Sequence, residues 1–295
     1  MPVRVLIVGC GYVGLAVGEL LSNAGHEVFG LRRTGSGRGD SERPRIVPLT
    51  GDITRPQDLR NLPLPFDWVL NTVSSMRGGK DEYRAVYLEG TRNLIAWLKN
   101  TPLQKYVYTS STSVYGQTDG SIVDEQSPTA PASETGRILL EAELLLLEAA
   151  RTEKFPAVIL RVSGIYGPER GHLFQQYLRG EASISGDPQR YISMIHRNDL
   201  AGIILAALER GQPGEIYNAS DDEPVSQLQF FTWLSQTLNK PLPPMVAEPP
   251  PSRKRAITNK RISNARLKAQ LGYQFKYPTY REGYIAEIRR LGLSP

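Results

Sequence analysis

Val3-Arg4-Val5-Leu6-Ile7-Val8-Gly9-Cys10-Gly11-Tyr12-Val13-Gly14 joins a short apolar, β-branched run directly to G-x-G-x-x-G. Leu15, Val17, Leu20 and Leu21 then recur at helical spacing, so the glycines sit between a strand and a helix. In that context the motif reads as a dinucleotide fingerprint. Gly9 takes the tight turn, Gly11 lets the backbone approach a pyrophosphate, and Gly14 lets the helix pack close to the strand. The backbone N–H groups of the first helical turn, which contains Tyr12 and Val13, add the positive end of a helix dipole.

Gly25-His26 breaks the helical pattern, and Glu27-Val28-Phe29-Gly30-Leu31 reads as the second strand of a βαβ unit. An NAD site usually carries a carboxylate here, about twenty residues beyond the glycines, to accept from the ribose 2′-hydroxyl. Arg32-Arg33 stands there instead. Guanidinium groups suit a 2′-phosphate, so the pair points to NADP(H), with NAD(H) as the alternative. A solvated basic loop is the other reading of these residues, since Arg38, Arg43 and Arg45 follow among glycines and serines.

Strands are predicted next at Ile46 to Leu49, ending in Gly51-Asp52-Ile53, and at Asp67 to Asn71, ending in Thr72-Val73-Ser74-Ser75. A helix from about Asp81 to Lys99 leads to a fifth strand, Lys105 to Thr109, which runs into Ser110-Ser111-Thr112-Ser113-Val114-Tyr115-Gly116. Strands alternating with helices predict a doubly wound, Rossmann-type α/β fold with a parallel sheet. Ligands bind at the carboxyl ends of such strands, which makes Asp52, Ile53, Thr72, Val73 and Ser74 candidate cofactor contacts.

Composition bounds the rest. The 295 residues have room for one large α/β domain or two smaller ones with a substantial core. The single cysteine, Cys10, cannot form an internal disulfide, and His26, His172 and His196 are too scattered for a metal cluster. No apolar run approaches a membrane span and no charged leader precedes the first strand, so a cytoplasmic protein is expected. A net charge of +5 favours anionic ligands.

Gly9 to Gly14, Gly51-Asp52-Ile53, Glu89-Gly90-Thr91 and Ser110 to Gly116 resemble the extended short-chain dehydrogenase/reductase family, which contains nucleotide-sugar epimerases and dehydratases. Leu160-Arg161 with Tyr166-Gly167-Pro168, Ile195-His196 with Asp199-Leu200-Ala201, and Ile216-Tyr217-Asn218 continue the resemblance in the expected order. It implies an NADP-binding domain over residues 1–168, to which the chain returns at about 197–219. Residues 169–196 and 220–295 then form a smaller C-terminal substrate lobe. The leucine-rich stretch Leu139 to Leu147 is either buried against the sheet or, as the resemblance implies, a homodimer face on the helix at 137–150.

The resemblance also implies a Tyr-x-x-x-Lys pair on that helix, the tyrosine as acid/base and the lysine lowering its pKa, with a nearby Ser or Thr holding the substrate oxygen. Aligning Ser133 to Leu139 on the helix start puts Thr135 at the tyrosine and Leu139 at the lysine. No lysine in the chain has a tyrosine four residues before it. Tyr87 stands where an asparagine is usual, and Ser111 keeps the Ser/Thr position. The chain is thus most similar to atypical members that keep the dinucleotide fold and lose the catalytic pair.

The catalytic candidates are Ser111, Thr135 and Tyr115, with Tyr166 as another displaced acid; ordinary structural roles are the competing reading for both tyrosines. His196 is either a satisfied structural histidine or a substrate contact. Lys254 and Arg255, with Arg253, Lys260 and Arg261, flank a proline-rich stretch and suggest a site for an anionic substrate. Two functions remain: an enzyme acting on a nucleotide-linked or phosphorylated sugar by a non-standard route, or an NADP-binding sensor or assembly factor. Nucleic-acid binding is disfavoured, because the basic loop lacks interleaved aromatics and any recognition motif.

Overall fold

The computed structural model describes residues 1–34, 46–75, 79–247 and 258–294. Strand β1, Arg4–Val8, is buried on both faces, with Val5, Leu6 and Ile7 wholly inaccessible. An apolar run without alternation belongs at the centre of a covered parallel sheet, and there it lies. It pairs in parallel with β2 (Glu27–Arg32) on one side and β4 (Trp68–Asn71) on the other. Strand β3 (Ile46–Thr50) closes one edge beyond β2, while β5 (Lys105–Ser111), β6 (Ala157–Val162) and β7 (Ile216–Ala219) extend the other. All seven strands are parallel, in the order β7-β6-β5-β4-β1-β2-β3. The order reverses between β1 and β4, and a crevice opens at the carboxyl ends of strands at such a switch point.

Alternation along β1 sends Leu6 and Val8 into one apolar cluster and Val5 and Ile7 into the other. The first cluster is covered by the helical run 80–98 (α2) and by α3, Glu134–Glu153. The second is covered by α1, Tyr12–Asn23, and α4, Arg197–Arg210. Each fully buried Leu, Ile or Val contributes about 1.5–3 kcal/mol, so the two layers dominate the stability of this half.

Ser133 caps α3 by accepting from the Gly136 N–H at 3.1 Å. Leu139, Ala142 and Leu146 are buried, whereas Leu144 is 56% exposed. The leucine-rich stretch therefore packs one face on the sheet and turns Leu144 outward. Glu143 is also buried on this helix. Its carboxylate accepts from Arg161 Nη2 at 2.7 Å, from Arg161 Nε at 3.1 and 3.2 Å, and from Ser110 Oγ at 2.5 Å. Arg161 Nη1 continues to the Tyr115 hydroxyl at 2.9 Å, which donates to Asn218 Oδ1 at 2.9 Å. One polar chain thus ties α3 to β5, β6 and β7.

A third apolar cluster lies away from the large sheet and includes Tyr166, Phe174, Phe230, Phe231, Tyr280 and Tyr284. It brings α5 (Gln227–Leu238) and α6 (Tyr280–Arg290) together. Asp199, in the first turn of α4, accepts from the Tyr273 hydroxyl and from the N–H groups of Lys276 and Tyr277 at 2.7–2.9 Å. Among the described residues no helix is long and apolar enough to cross a membrane, and no group of His, Cys, Asp and Glu is arranged to hold a metal.

Candidate functional site

The glycine turn after β1 is fixed by contacts that forbid side chains. Gly9 has φ +80°, and a Cβ there would lie 2.8 Å from both Cα and N of Val73. A Cβ on Gly14 would meet Ile7 Cγ2 at 2.9 Å and the Gly9 carbonyl at 3.1 Å. Gly11 differs: the nearest atom to its Cβ would be the Gly9 carbonyl, at 3.8 Å. Protein packing therefore dictates the first and third glycines, while the middle one faces space that a ligand backbone can enter. Thr72 Oγ1 donates to the Gly9 carbonyl at 3.0 Å and braces the turn from β4. Helix α1 starts without a side-chain cap, so its first N–H groups are available to an anion.

A cleft of about 850 Å³ opens beside this turn at the switch point between β1 and β4. Eight of the expected cofactor contacts line it: Gly9, Gly11, Arg32, Arg33, Asp52, Ile53, Val73 and Ser74. Arg32 Nε donates to the Cys10 carbonyl, which anchors its guanidinium to the glycine turn. Asp52 accepts from the Thr54 N–H and hydroxyl at 2.9 and 2.8 Å, and its own N–H donates to Asp58 at 2.9 Å. Gly14 and Thr72 act from behind the turn, and Val13 lies in the first turn of α1. The Tyr12 side chain points elsewhere: its hydroxyl donates to the Pro168 carbonyl at 2.9 Å, and the guanidinium groups of Arg170 and Arg197 lie 5.1 and 4.9 Å from its ring centre. Glu82 and Val86 complete the wall from α2, a contribution that sequence reasoning missed. Tyr87, in the π-wound turn Arg84–Glu89 of α2, accepts from the Ser75 N–H at 3.3 Å and ties the β4 loop to that helix.

The expected chemistry region is assembled but sparse. Ser111 Oγ accepts from the Ser113 N–H at 3.2 Å and caps the short helical turn Thr112–Val114. The first turn of α3 abuts that loop, since a Cβ on Gly136 would lie 2.9 Å from the Ser113 carbonyl. Thr135 Oγ1 is 3.2 Å from Ser133 Oγ, and Leu139 is buried in the apolar cluster. Neither position offers an ionisable group.

The other candidates turn inward. Tyr115 is fully buried, and with Asn218 and Arg161 holding its hydroxyl it belongs to the core, which corrects its reading as a displaced acid. Tyr166 is also buried, with its ring stacked on Tyr284 at 4.3 Å. Burial pushes both hydroxyls above the usual phenol range, away from acid/base duty near neutrality. His196 is not a substrate contact either: it is 1% exposed, and its Nδ1 accepts from the Asn198 N–H at 3.1 Å to cap α4. Burial holds its pKa below the ordinary histidine value, and Nε2 lies 3.5 Å from Glu287 Oε1.

Lys254 and Arg255, with Arg253, fall outside the described residues. Their neighbour Lys260 does not face an anion from the surface. Its Nζ donates to the Tyr115 carbonyl at 2.8 Å and Thr258 Oγ1 at 2.9 Å, and burial lowers its pKa to about 8. Arg261 Nε donates to the Gly120 carbonyl at 2.8 Å. These two cations brace the C-terminal segment against the loop that follows Ser111.

Comparison with known proteins adds lineage to this geometry. A sequence profile of the NAD dependent epimerase/dehydratase family matches residues 5–220. A protein of Methylobacillus flagellatus assigned to the NAD-dependent epimerases/dehydratases has a solved structure with 33% sequence identity and a TM-score of 0.79, covering 99% of this chain and 100% of its own. Protein YeeZ of Escherichia coli K12 is 27% identical over 284 residues, spanning 93% of this chain and 96% of that protein. The N-acetyl-alpha-D-glucosaminyl-diphospho-ditrans,octacis-undecaprenol 4-epimerase of Escherichia coli O157:H7 is 29% identical over 213 residues, covering 68% of this chain and 63% of the epimerase.

Proposed function

Because the chain belongs to the NAD dependent epimerase/dehydratase family, we propose that it binds NADP(H) in the switch-point cleft and acts on a nucleotide-linked or phosphorylated sugar without a tyrosine–lysine pair. The observation that carries the cofactor choice is the pair Arg32 and Arg33 on the cleft wall, where an NAD site places a carboxylate. The pyrophosphate would be held by the glycine turn and the start of α1, the adenosine by Asp52, Ile53, Val73 and Ser74. Bound nicotinamide would supply the hydride chemistry. A substrate oxygen would be held by Ser111, the half-buried serine that ends β5. The similarity to an epimerase of a diphosphate-linked sugar supports the substrate class.

Charge-assisted bonds to a 2′-phosphate contribute about 1.5–3 kcal/mol each. Arg32→Ala is therefore expected to weaken NADP⁺ by about 10- to 100-fold and NAD⁺ far less. Calorimetric titration of both cofactors checks it, and equal losses would remove the basis for NADP(H).

A second reading, an NADP-occupied sensor or assembly factor, is favoured by the same bare region: Thr135 and Leu139 occupy the acid/base and cation positions, and the nearby tyrosines are sealed in the core. Loss of a positioned acid/base removes about 10²–10⁴-fold in rate. Turnover of a sugar-nucleotide panel, followed by NADPH absorbance, is expected to be slow in the wild type and lowered further by Ser111→Ala. Fast wild-type turnover abolished by Tyr115→Phe or Tyr166→Phe would place the acid on a tyrosine after all. NADP⁺ binding with no turnover on any member of the panel would select the sensor.

A further inference from the structure

Two guanidinium groups stand on one aromatic ring beside the glycine turn. Arg170 and Arg197 place their Cζ atoms 5.1 and 4.9 Å from the ring centre of Tyr12. Separate parts of the chain supply them. Arg197 opens α4, and Arg170 ends the turn Gly167–Arg170, whose two ends exchange N–H···O bonds of 3.1 and 3.0 Å. Glu169, inside that turn, is held at φ +62°, a left-handed backbone that costs a non-glycine residue free energy. Tyr12 is fixed as well, by its place in α1 and by the bond from its hydroxyl to the Pro168 carbonyl.

Among the described residues neither Arg170 nor Arg197 pairs with a carboxylate. Arg197 Nε and Nη2 make only long contacts, 3.4 and 3.3 Å, to Asn198 Oδ1. Arg290 and Glu287, on α6, also act on the Tyr12 hydroxyl. That carboxylate is already engaged: Glu287 accepts from Arg290 Nε at 2.8 Å and lies 3.5 Å from His196 Nε2. Three guanidinium groups thus surround Tyr12 with one committed carboxylate among them. Cation–π attraction holds a guanidinium on a ring for about 0.5–1 kcal/mol at an exposed site, but it does not cancel two like charges placed on the same ring. Arg170 is exposed, and Tyr12 and Arg197 are half-buried, so an anion from solvent can reach the pair.

We propose that Arg170 and Arg197, standing on Tyr12, form a clamp for a diphosphate. None of the three side chains lines the cleft beside β2, so the clamp is separate from Arg32 and Arg33. Guanidinium forks suit phosphate oxygens through paired N–H···O bonds, and stacking on a ring orders the forks before the anion arrives. Two ligands carry the required group: a dinucleotide, in the link between its halves, and a sugar nucleotide. The assignment deepens the reading of the site as one for a cofactor and a nucleotide-linked sugar. It does not rest on the choice of NADP(H) over NAD(H), because both contain the diphosphate.

The test titrates inorganic pyrophosphate by calorimetry at low, fixed salt, against the protein alone and against protein saturated with whichever dinucleotide it binds. Arg170→Gln and Arg197→Gln are each expected to weaken pyrophosphate by about 5- to 10-fold, and the double variant by about 30-fold or more. Arg170→Lys/Arg197→Lys keeps both charges and loses the forks, so it is expected to lose about fivefold, and it carries the test if the glutamine variant does not fold. Arg92→Gln/Arg151→Gln removes the same charge from two surface pairs and is expected to bind as the wild type does. Pyrophosphate displaced by the dinucleotide identifies the cofactor as the occupant, and the double glutamine variant then weakens the dinucleotide while sparing 2′-AMP. Pyrophosphate that still binds the saturated protein identifies the substrate, and UDP is weakened in its place. The clamp is overturned if the wild type does not bind pyrophosphate, if both double variants at Arg170 and Arg197 stay within twofold of it, or if the surface control loses as much. The reading of the cofactor site fails separately: a wild type that binds pyrophosphate through these arginines but takes up neither dinucleotide keeps the clamp and loses the cofactor.

Discussion

Arg161→Met lowers the free energy of unfolding by about 3–5 kcal/mol, measured by urea denaturation, because it strands the Glu143 carboxylate where water cannot reach it. Glu143 is wholly buried and Arg161 is 4% exposed. Three guanidinium contacts of 2.7–3.2 Å compensate that carboxylate, and the same guanidinium supplies a donor to Tyr115. Removing the cation leaves Ser110 as the donor that Glu143 retains in this network. The double variant Glu143→Leu/Arg161→Met removes both charges, and apolar replacement of a buried pair is often neutral, so it is expected to recover most of the loss. A cost below about 1 kcal/mol for the single variant would mean that water or another cation reaches Glu143, and that the pair is not sealed as described.

Gly9→Ala is expected to reduce NADP⁺ affinity more than about 100-fold, a loss of roughly 2.7 kcal/mol or more. The new Cβ would need the space held by the Val73 backbone, 2.8 Å away, and the residue would sit at φ +80°. Left-handed backbone alone costs an L side chain about 1–2 kcal/mol. The remainder comes from pushing β1 and the β4 loop apart at the position where both meet the cofactor. Gly25→Ala separates the two effects: its φ is +87°, but nothing lies within 4 Å of the added Cβ. That variant is expected to lose stability without losing cofactor affinity. Fluorescence titration with NADPH reads both. Binding by Gly9→Ala within threefold of the wild type would show that the turn yields, and that close packing there is not what shapes the site.

The nucleotide half was legible because its signals are local. Residues 5–8 read as a continuous apolar run, three glycines follow at fixed spacing, and Arg32 and Arg33 end the next strand; each feature lies within a few residues of its partners. The polar residues farther along were harder to read, because whether they face a ligand depends on partners remote in sequence. Tyr115 is taken into the core by Asn218, 103 residues away, and Lys260 by the Tyr115 carbonyl, 145 residues away. A lysine in a basic stretch looks solvated until the strand pairing at Arg261 and Ile262 turns its neighbour inward. Glu82 was missed for the same reason in reverse: on an amphipathic helix it reads as a solvent-facing charge, and only the β2–β4 geometry brings it to Arg33. Leu139 was legible at once, since no environment gives a leucine a proton to exchange.

Placing β1 in the middle of the sheet sets an order of assembly during synthesis. Residues 4–111 already hold five neighbouring strands, β5-β4-β1-β2-β3, so the growing chain can build its sheet from the centre outward before the later segments leave the ribosome. Strands β6 and β7 then add one after the other to the same side. Until Ala157–Val162 arrives, β5 is a bare edge presenting the backbone of Tyr106, Val107 and Tyr108, the kind of edge that pairs with foreign strands. The nascent chain therefore carries this open edge from the moment Ser111 has left the ribosome until Ala157–Val162 follows it.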